Sequence, residues 1–286
     1  MKILSVQSWV AYGHVGNASA MFPLQRLGAE VWAVNTVQFS NHTGYGTWTG
    51  QVFTGDQITA LISGIEARGV LPGCDAVLSG YIGDAGIGHA VLDAVARVRA
   101  ANPNALYCCD PVIGDDDTGV YVRPGIDAFL RDQALAQADI ATPNRFELQH
   151  LTGLPTATLA EAQSAVACLQ AMMRPAGPRI VLLTSLRTTE TPPGEIDMLA
   201  AEQGRSHLLR TPALPLSVNG AGDAIAALFL FHRLRTGHVA EALAAAGSSI
   251  FGLLRQTHEA NSREILTVAA QEEFVNPSRT FATIPC

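Results

Sequence analysis

Short apolar runs recur along almost the whole chain, at 3–6, 31–37, 76–79, 105–109, 140–142 and 180–184. Runs of this length, apolar on both faces, belong to strands buried on both sides. Helical patterns separate them, at 18–27, 57–68, 87–101 and 159–173. Such alternation lays the strands side by side in parallel, since each crossover helix returns the chain to the same edge of the sheet. The expected architecture is an α/β fold with a mostly parallel sheet covered by helices on both faces. Runs at 196–201 and 206–210, joined across Gln203-Gly204, read as a late antiparallel hairpin, and helices at 223–234 and 239–256 close the fold. No linker, repeat or low-complexity segment divides residues 1–286, which are expected to form one domain.

Composition narrows the function. The chain is 48% hydrophobic and 15% charged, enough to bury a large core and unlike a disordered or coiled-coil sequence. A net charge of −7 with no basic run excludes a nucleic-acid binder. The apolar runs are too short to span a bilayer, and no leader-like series precedes the first strand, so a cytoplasmic protein without a membrane partner is expected. Five cysteines (Cys74, Cys108, Cys109, Cys168, Cys286) show no zinc spacing and read as buried thiols, with adjacent Cys108 and Cys109 on opposite faces of a strand. Lys2 is the only lysine, and it opens the first strand. Neither a Walker-type phosphate site nor a Schiff base to a lysine is available, so phosphate handling must rest on backbone amides, arginine and metal ions.

One junction carries the most chemistry. Asn219-Gly-Ala-Gly-Asp223 runs directly into the apolar helix that begins at Ala224. The glycines let the backbone approach a bound group closely, and a helix start presents free N–H groups and the positive end of its dipole. Asp223 fixes a proton acceptor at the same point. Anion-binding amides beside a carboxylate suit phosphoryl transfer to an alcohol. An ordinary glycine-rich helix start with an acidic first turn fits the same five residues.

In open α/β sheets ligands sit beyond the carboxyl ends of the strands. The polar segments fall there, and two of them, around 38–50 and 111–125, are long enough to be functional. Asp110 ends a strand and leads into Asp115-Asp-Asp117 and a Gly119 hinge, a segment that could cover a phosphate; indirect Mg²⁺ binding and a solvated turn are both open readings. At Thr142-Pro-Asn144-Arg-Phe-Glu147, Pro143 and Glu147 fit a helix start, while Asn144 and Glu147 could instead share a cavity and hold a metal's water shell. The loop 40–50, rich in hydroxyls and aromatics, suits a flat polar heterocycle better than a sugar, although His42 alone fits a turn. Tyr81, just past a strand end, could stack on a ring or simply pack.

Ser5-Val-Gln-Ser8, Gly13-His-Val-Gly-Asn17, Asn35-Thr-Val-Gln-Phe-Ser-Asn-His-Thr43, Leu78-Ser-Gly-Tyr81, Cys109-Asp-Pro-Val-Ile-Gly-Asp115, Thr142-Pro-Asn-Arg-Phe-Glu147 and Gly220-Ala-Gly-Asp223 occur in order from residue 3 to about 258. Together they resemble the pyridoxal kinases of the ribokinase superfamily. The resemblance implies a single three-layer α/β/α sandwich, ATP-dependent phosphorylation of the 5′-hydroxymethyl group of pyridoxal, a requirement for Mg²⁺ often with K⁺ or Na⁺, and a homodimer. By position, Asp223 resembles the base that takes the hydroxyl proton, and the amides of Gly220, Ala221 and Gly222 resemble the anion hole. Ser8, Val15, Thr43 and Tyr81 match pyridine-binding positions. Asp110, Asp115, Asn144 and Glu147 match the metal and phosphate side, with Asp110 and Glu147 reaching the metal through water. Thr184 and Asn219 fall at nucleotide-side positions, and 114–125 matches the phosphate-covering loop.

Three departures stand out within the resemblance. Trp9 replaces a His or Gln beside Ser8, Asn219 replaces an apolar residue or Thr, and Val120 stands where some members carry Cys, which removes covalent capture of the aldehyde there. Trp9 either points away from Ser8 or lies over the cleft mouth. Two alternatives compete with a pyridoxal kinase. A kinase for a hydroxymethylpyrimidine would often carry Cys in place of Asp223, and a vitamin-binding homologue without turnover would not need Asp223, Asp110 and Glu147.

Overall fold

In the computed structural model, which describes residues 1–286, the apolar runs form the centre of one ten-stranded sheet. In chain order the strands are β1 (Lys2–Val10), β2 (Glu30–Phe39), β3 (Gly50–Val52), β4 (Ala76–Ser79), β5 (Leu106–Cys109), β6 (Gly114–Asp115), β7 (Gly119–Val120), β8 (Ile140–Ala141), β9 (Ile180–Leu186), β10 (Glu195–Glu202), β11 (Arg205–Pro212) and β12 (Ile284–Pro285). The sheet order is β12-β11-β10-β9-β8-β5-β4-β1-β2-β3, with β6 and β7 set apart as a two-stranded ribbon. From β2 through β1, β4, β5 and β8 to β9 every pairing is parallel. Antiparallel strands finish both sides, β3 at one and the β10–β11 hairpin with β12 at the other. Strand order reverses at β1, which lies between β2 and β4, and so the crevice opens at the carboxyl end of β1.

The helices are α1 (Asn17–Arg26), α2 (Gly55–Glu66), α3 (Ala85–Ala101), α4 (Ile126–Phe129), α5 (Arg145–Thr152), α6 (Leu159–Met172), α7 (Ala221–Thr236), α8 (Val239–Glu259) and α9 (Glu272–Val275). Successive strand residues alternate between the two faces. On one face Leu4, Val77, Tyr107, Cys109 and Val181 pack with Ile58 of α2, Val91 of α3 and Val166 of α6. On the other, Ile3, Leu78, Cys108 and Ile180 pack with Leu24 of α1, Phe229 of α7 and Leu253 of α8. The three-layer α/β/α arrangement follows, and the adjacent thiols of Cys108 and Cys109 do face opposite layers. No helix is long and apolar enough to cross a membrane.

Four of the nine helices, α2, α3, α5 and α6, begin at a side-chain cap. Thr54 with Gln57, Asn144 with Glu147 and Thr158 with Glu161 form capping boxes for α2, α5 and α6. Each side chain there bonds a backbone amide that the helix cannot satisfy itself. Helix α7 differs. It starts at Ala221, two residues before the sequence pattern predicts, because Gly220 takes a left-handed cap (φ 87°) and no side chain bonds the first amides. A Cβ at Gly220 would collide with the His14 carbonyl, so both conformation and space demand glycine.

Some elements have no counterpart in the sequence pattern. β3 pairs only with β2 and leaves its other edge open, so its residues carry no buried alternation. The β6–β7 ribbon is two residues on each side, and turn bonds to Asp115 shape it. The segment after α4 continues as a π turn (Leu130–Ala134) and a 3₁₀ turn (Leu135–Gln137), neither of which has the 3.6-residue period.

Two tests of α7 follow. Gly220→Ala places a side chain in a left-handed conformation, at about 1–2 kcal/mol before the clash with His14 is counted. Thermal unfolding is expected to show Tm lower by at least a few degrees, and an unchanged Tm would show that the cap can relax. Near the other end, His232 is buried, and its Nε2 has no hydrogen-bond partner. Burial, and then the charge of Arg235, push its pKa down to about 4. The unfolded chain takes up that proton near the ordinary value of about 6.5. The neutral imidazole therefore stabilises the fold fully above about pH 6.5, and this contribution is lost as pH falls toward 4. Wild-type Tm is expected to fall more between pH 7 and pH 5 than that of His232→Gln, which cannot titrate.

Candidate active site

At the carboxyl edge of the parallel strands a cavity of about 790 Å³ runs from the end of β1 to the β10–β11 hairpin. Every site residue expected from the sequence lies on its wall: Ser8, Val15, Thr43, Tyr81, Asp110, Asp115, Asn144, Glu147, Thr184, Asn219, Gly220, Ala221, Gly222 and Asp223.

The uncapped start of α7 sits at the middle of this wall. Its geometry is held from behind, where the Gly220 carbonyl accepts the Ser19 hydroxyl at 2.7 Å and the Ala224 amide at 3.0 Å. The amides of Ala221 and Gly222 take no side-chain cap and remain available to an anion. Asp223 occupies the first turn. Burial pushes its pKa up to about 6, against the pull of the Gly16 amide and its own. The carboxylate is therefore largely ionised at neutral pH and readily protonated just below it. Gly80 passes under it, close enough that a Cβ there would come within 3.5 Å of Asp223 Oδ1.

Two buried carboxylates, Asp110 and Glu147, face the same space. Asp110, at the end of β5, accepts the Thr142 hydroxyl at 2.7 Å. Burial raises its pKa well above the carboxylate range, and the charges of Glu147 and Asp223 add to the effect. Glu147 accepts the Ile113 amide on Oε1 and the Asn144 amide on Oε2, each at 2.9 Å. Burial likewise pushes it up, to about 7. Asn144 and Glu147 thus both begin α5 and line the same cavity. Asn144 also donates to the Gly114 carbonyl at 2.8 Å and so fastens the β6–β7 ribbon. Asp115 shapes that ribbon, accepting from the Asp117 amide, the Thr118 amide and the Thr118 hydroxyl at 2.7 to 3.0 Å. The turn is therefore capped by Asp115.

No three His, Cys, Asp or Glu side chains converge as a direct metal cage. The donor set suits Mg²⁺ nonetheless, since that ion keeps several waters and takes one or two carboxylates with substrate phosphates. Both Glu147 oxygens already accept amides, which favours contact through water.

At the β1 end of the cavity Ser8, Val10, Val15, Val37, Phe39, His42, Thr43 and Tyr81 form a mixed apolar and polar wall. Gly16 lets the chain lie against Ser8, where a Cβ would strike its carbonyl and hydroxyl. Trp9 is half-buried and off the wall, whereas its neighbours Ser8 and Val10 are on it, as strand alternation requires. His42 fills both roles open to it, accepting the Gly44 amide at 3.2 Å as a turn cap while lining the cavity. The Asn219 amide nitrogen reaches to 3.9 Å from where a Cβ of Gly44 would sit.

The far end was largely illegible in the sequence. Ile196, Met198, Leu214, Leu216, Val218, Ile250, Phe251 and Leu254 make an apolar wall, drawn from β10, from the segment before α7 and from α8. Nothing local marks these residues, because each looks like ordinary core. Arg187 is the only Lys or Arg on the cavity wall, just past the end of β9, and it makes no ion pair or hydrogen bond within the chain. Its signal was weak but present, an exposed cation following a strand's carboxyl end.

The chain's similarities agree with this geometry. The family model described as phosphomethylpyrimidine kinase matches residues 32–267. Pyridoxal kinase PdxY of Granulibacter bethesdensis is 66% identical over 100% of both chains, and that of Deinococcus radiodurans is 58% identical over 98% of this chain and 95% of the relative. A solved pyridoxal kinase of Leishmania donovani, in complex with ADP and pyridoxamine, superposes with a TM-score of 0.91 at 29% identity, covering 100% of this chain and 99% of the other. The ribokinase-like sheet, the uncapped helix start with its carboxylate, and full-length identity of this degree place the chain in the pyridoxal kinase family.

Proposed function

We propose that this protein transfers the γ-phosphoryl group of ATP to the 5′-hydroxymethyl oxygen of pyridoxal, giving pyridoxal 5′-phosphate and ADP, with residues 1–286 acting as one kinase domain. The observation that carries this is the α7 start. Free amides and Asp223 stand between a ring-sized pocket on one side and an apolar base-sized wall with carboxylates on the other. The ring lies against Tyr81, with its polar edge toward Ser8 and Thr43. The base of ATP lies on the Leu214, Val218 and Phe251 wall, and its phosphates run past Thr184 and Arg187 toward Ala221 and Gly222.

In the reaction the hydroxymethyl oxygen attacks the γ-phosphorus, the bond to the β–γ bridging oxygen breaks, and Asp223 receives the hydroxyl proton. In a loose transition state that proton leaves late, so an acceptor with a pKa of about 6 suffices. The α7 amides and dipole stabilise negative charge on the transferring group. Mg²⁺, held through water by Asp110 and Glu147, would neutralise phosphate charge. The β6–β7 ribbon, hinged at Gly119 and tied to Asn144, covers the phosphates and excludes water. A homodimer, a cytoplasmic location and a monovalent cation complete the reading that the resemblance implies.

A coupled ADP-release assay tests the assignment with pyridoxal, pyridoxine, pyridoxamine and a hydroxymethylpyrimidine. Pyridoxal is expected to give the highest kcat/KM; preference for the pyrimidine would make the protein a kinase of that heterocycle instead. Asp223→Asn should lower kcat at least about 10²-fold, the scale of losing a positioned proton acceptor, with little change in binding of either substrate. Near-normal turnover would remove Asp223 from this role. Arg187→Gln should raise KM for ATP about tenfold while leaving KM for pyridoxal within twofold, as expected when one charge-assisted phosphate contact is lost. Equal change in both constants would put Arg187 outside the phosphate path.

A further inference from the structure

Glu264 lies off the cavity wall and outside every sequence motif, yet its carboxylate joins two loops that carry the ring-side residues. Oε1 accepts the Tyr45 phenol at 2.6 Å, and Oε2 accepts the His14 amide at 3.2 Å, across 219 and 250 residues of chain. Tyr45 ends the short turn Thr43–Tyr45, whose first residue is on the wall. His14 precedes Val15, also on the wall, and its carbonyl abuts Gly220. A Cβ at Gly13 (φ 90°) would run into the carboxylate, so glycine there is what admits Glu264.

The anchor itself is firm. Ser262 Oγ donates to the Glu264 carbonyl at 2.6 Å and accepts its amide at 3.2 Å, and the following Ile265 and Thr267 are buried. The Arg263 guanidinium lies 4.9 Å above the Tyr45 ring, and Tyr12 meets the same ring edge-on at 6.1 Å. The hydrogen bond to Glu264 is the chief cause that holds the Tyr45 phenol up at about 12, so it remains a donor at neutral pH.

We propose that Glu264 is a positioning residue for pyridoxal: it latches the 43–45 turn to the 12–16 loop, so that Thr43 and Val15 close on the ring as one wall. The proposal rests on the ring-side assignment made above. Glu264 touches no substrate atom. Without the latch the turn samples open positions, and the cost of ordering it falls on ring binding alone. The apolar wall at the other end of the cavity, drawn from β10, the segment before α7 and α8, contributes no side chain to this network.

The test is steady-state kinetics in both substrates, with Tm, for Glu264→Ala, Glu264→Gln, Tyr45→Phe and the Glu264→Ala/Tyr45→Phe pair. Glu264→Ala and Tyr45→Phe should each raise KM for pyridoxal about tenfold, with KM for ATP within twofold, the effect of losing one charge-assisted hydrogen bond. Glu264→Gln, which can still accept the phenol proton, should recover part of the loss. The double variant should be no worse than Glu264→Ala, since both changes cut one connection. A pyridoxal KM within twofold of wild type, equal rises in both KM values, or additive effects in the double variant would overturn the latch. Tyr45→Phe removes only a hydroxyl and decides the question if Glu264→Ala fails to fold. Should wild type not phosphorylate pyridoxal, the substrate assignment fails by itself, and the same split is then read with the hydroxymethyl heterocycle that wild type accepts.

Discussion

Asp110, Glu147 and Asp223 are held together at the carboxyl edge of a parallel sheet, with Arg187 as the only Lys or Arg on the surrounding wall. Three carboxylates in so little water repel one another, and burial raises the pKa of each. The fold tolerates this because every one is bonded to groups it does not have to move: Asp110 to the Thr142 hydroxyl, Glu147 to two backbone amides, and Asp223 to the Gly16 amide and its own. A site negative in itself has no use for an anion arriving alone. It suits an anion that brings its own cation, and a nucleotide triphosphate with Mg²⁺ is such a ligand.

The sequence was most legible where backbone and ligand constraints coincide. Gly220 must be glycine because a left-handed cap and the His14 carbonyl both demand it, and the same cap frees the amides that make an anion site. The six parallel strands were equally legible, because burial on both faces leaves a continuous apolar run. Asn144 and Glu147 show why a structural and a functional reading need not compete. The capping box fixes the start of α5 and holds Glu147 Oε2 on the Asn144 backbone amide, while the Ile113 amide holds Oε1, so the carboxylate stays on the cavity wall.

What stayed hidden was set by distance along the chain. The apolar wall at the nucleotide end comes from β10, the segment before α7, and α8, and no local pattern distinguishes a residue facing a cavity from one facing the core. Glu264 is more extreme. It lies beyond the last matched motif, and its partners are 219 and 250 residues away. Only Gly13 carries a local trace of it, as a glycine whose need for φ 90° becomes intelligible once the carboxylate is in place.

Trp9 shows how a departure close in sequence can be remote in effect. The β1 pairing with β2 shifts register between Gln7 and Trp9, but the alternation beyond the shift still sends Ser8 and Val10 to the cavity and Trp9 away from it. The Trp9 backbone instead bridges to Gly16, where the chain folds back. Gly16 in turn packs against Ser8 and presents its amide to Asp223. The replacement of a polar residue by tryptophan therefore acts on the backbone that supports Ser8 and not on the ring's own surroundings. On the ring placement proposed above, selection among pyridine substituents falls to Thr43 and Tyr81, which line the same end of the cavity.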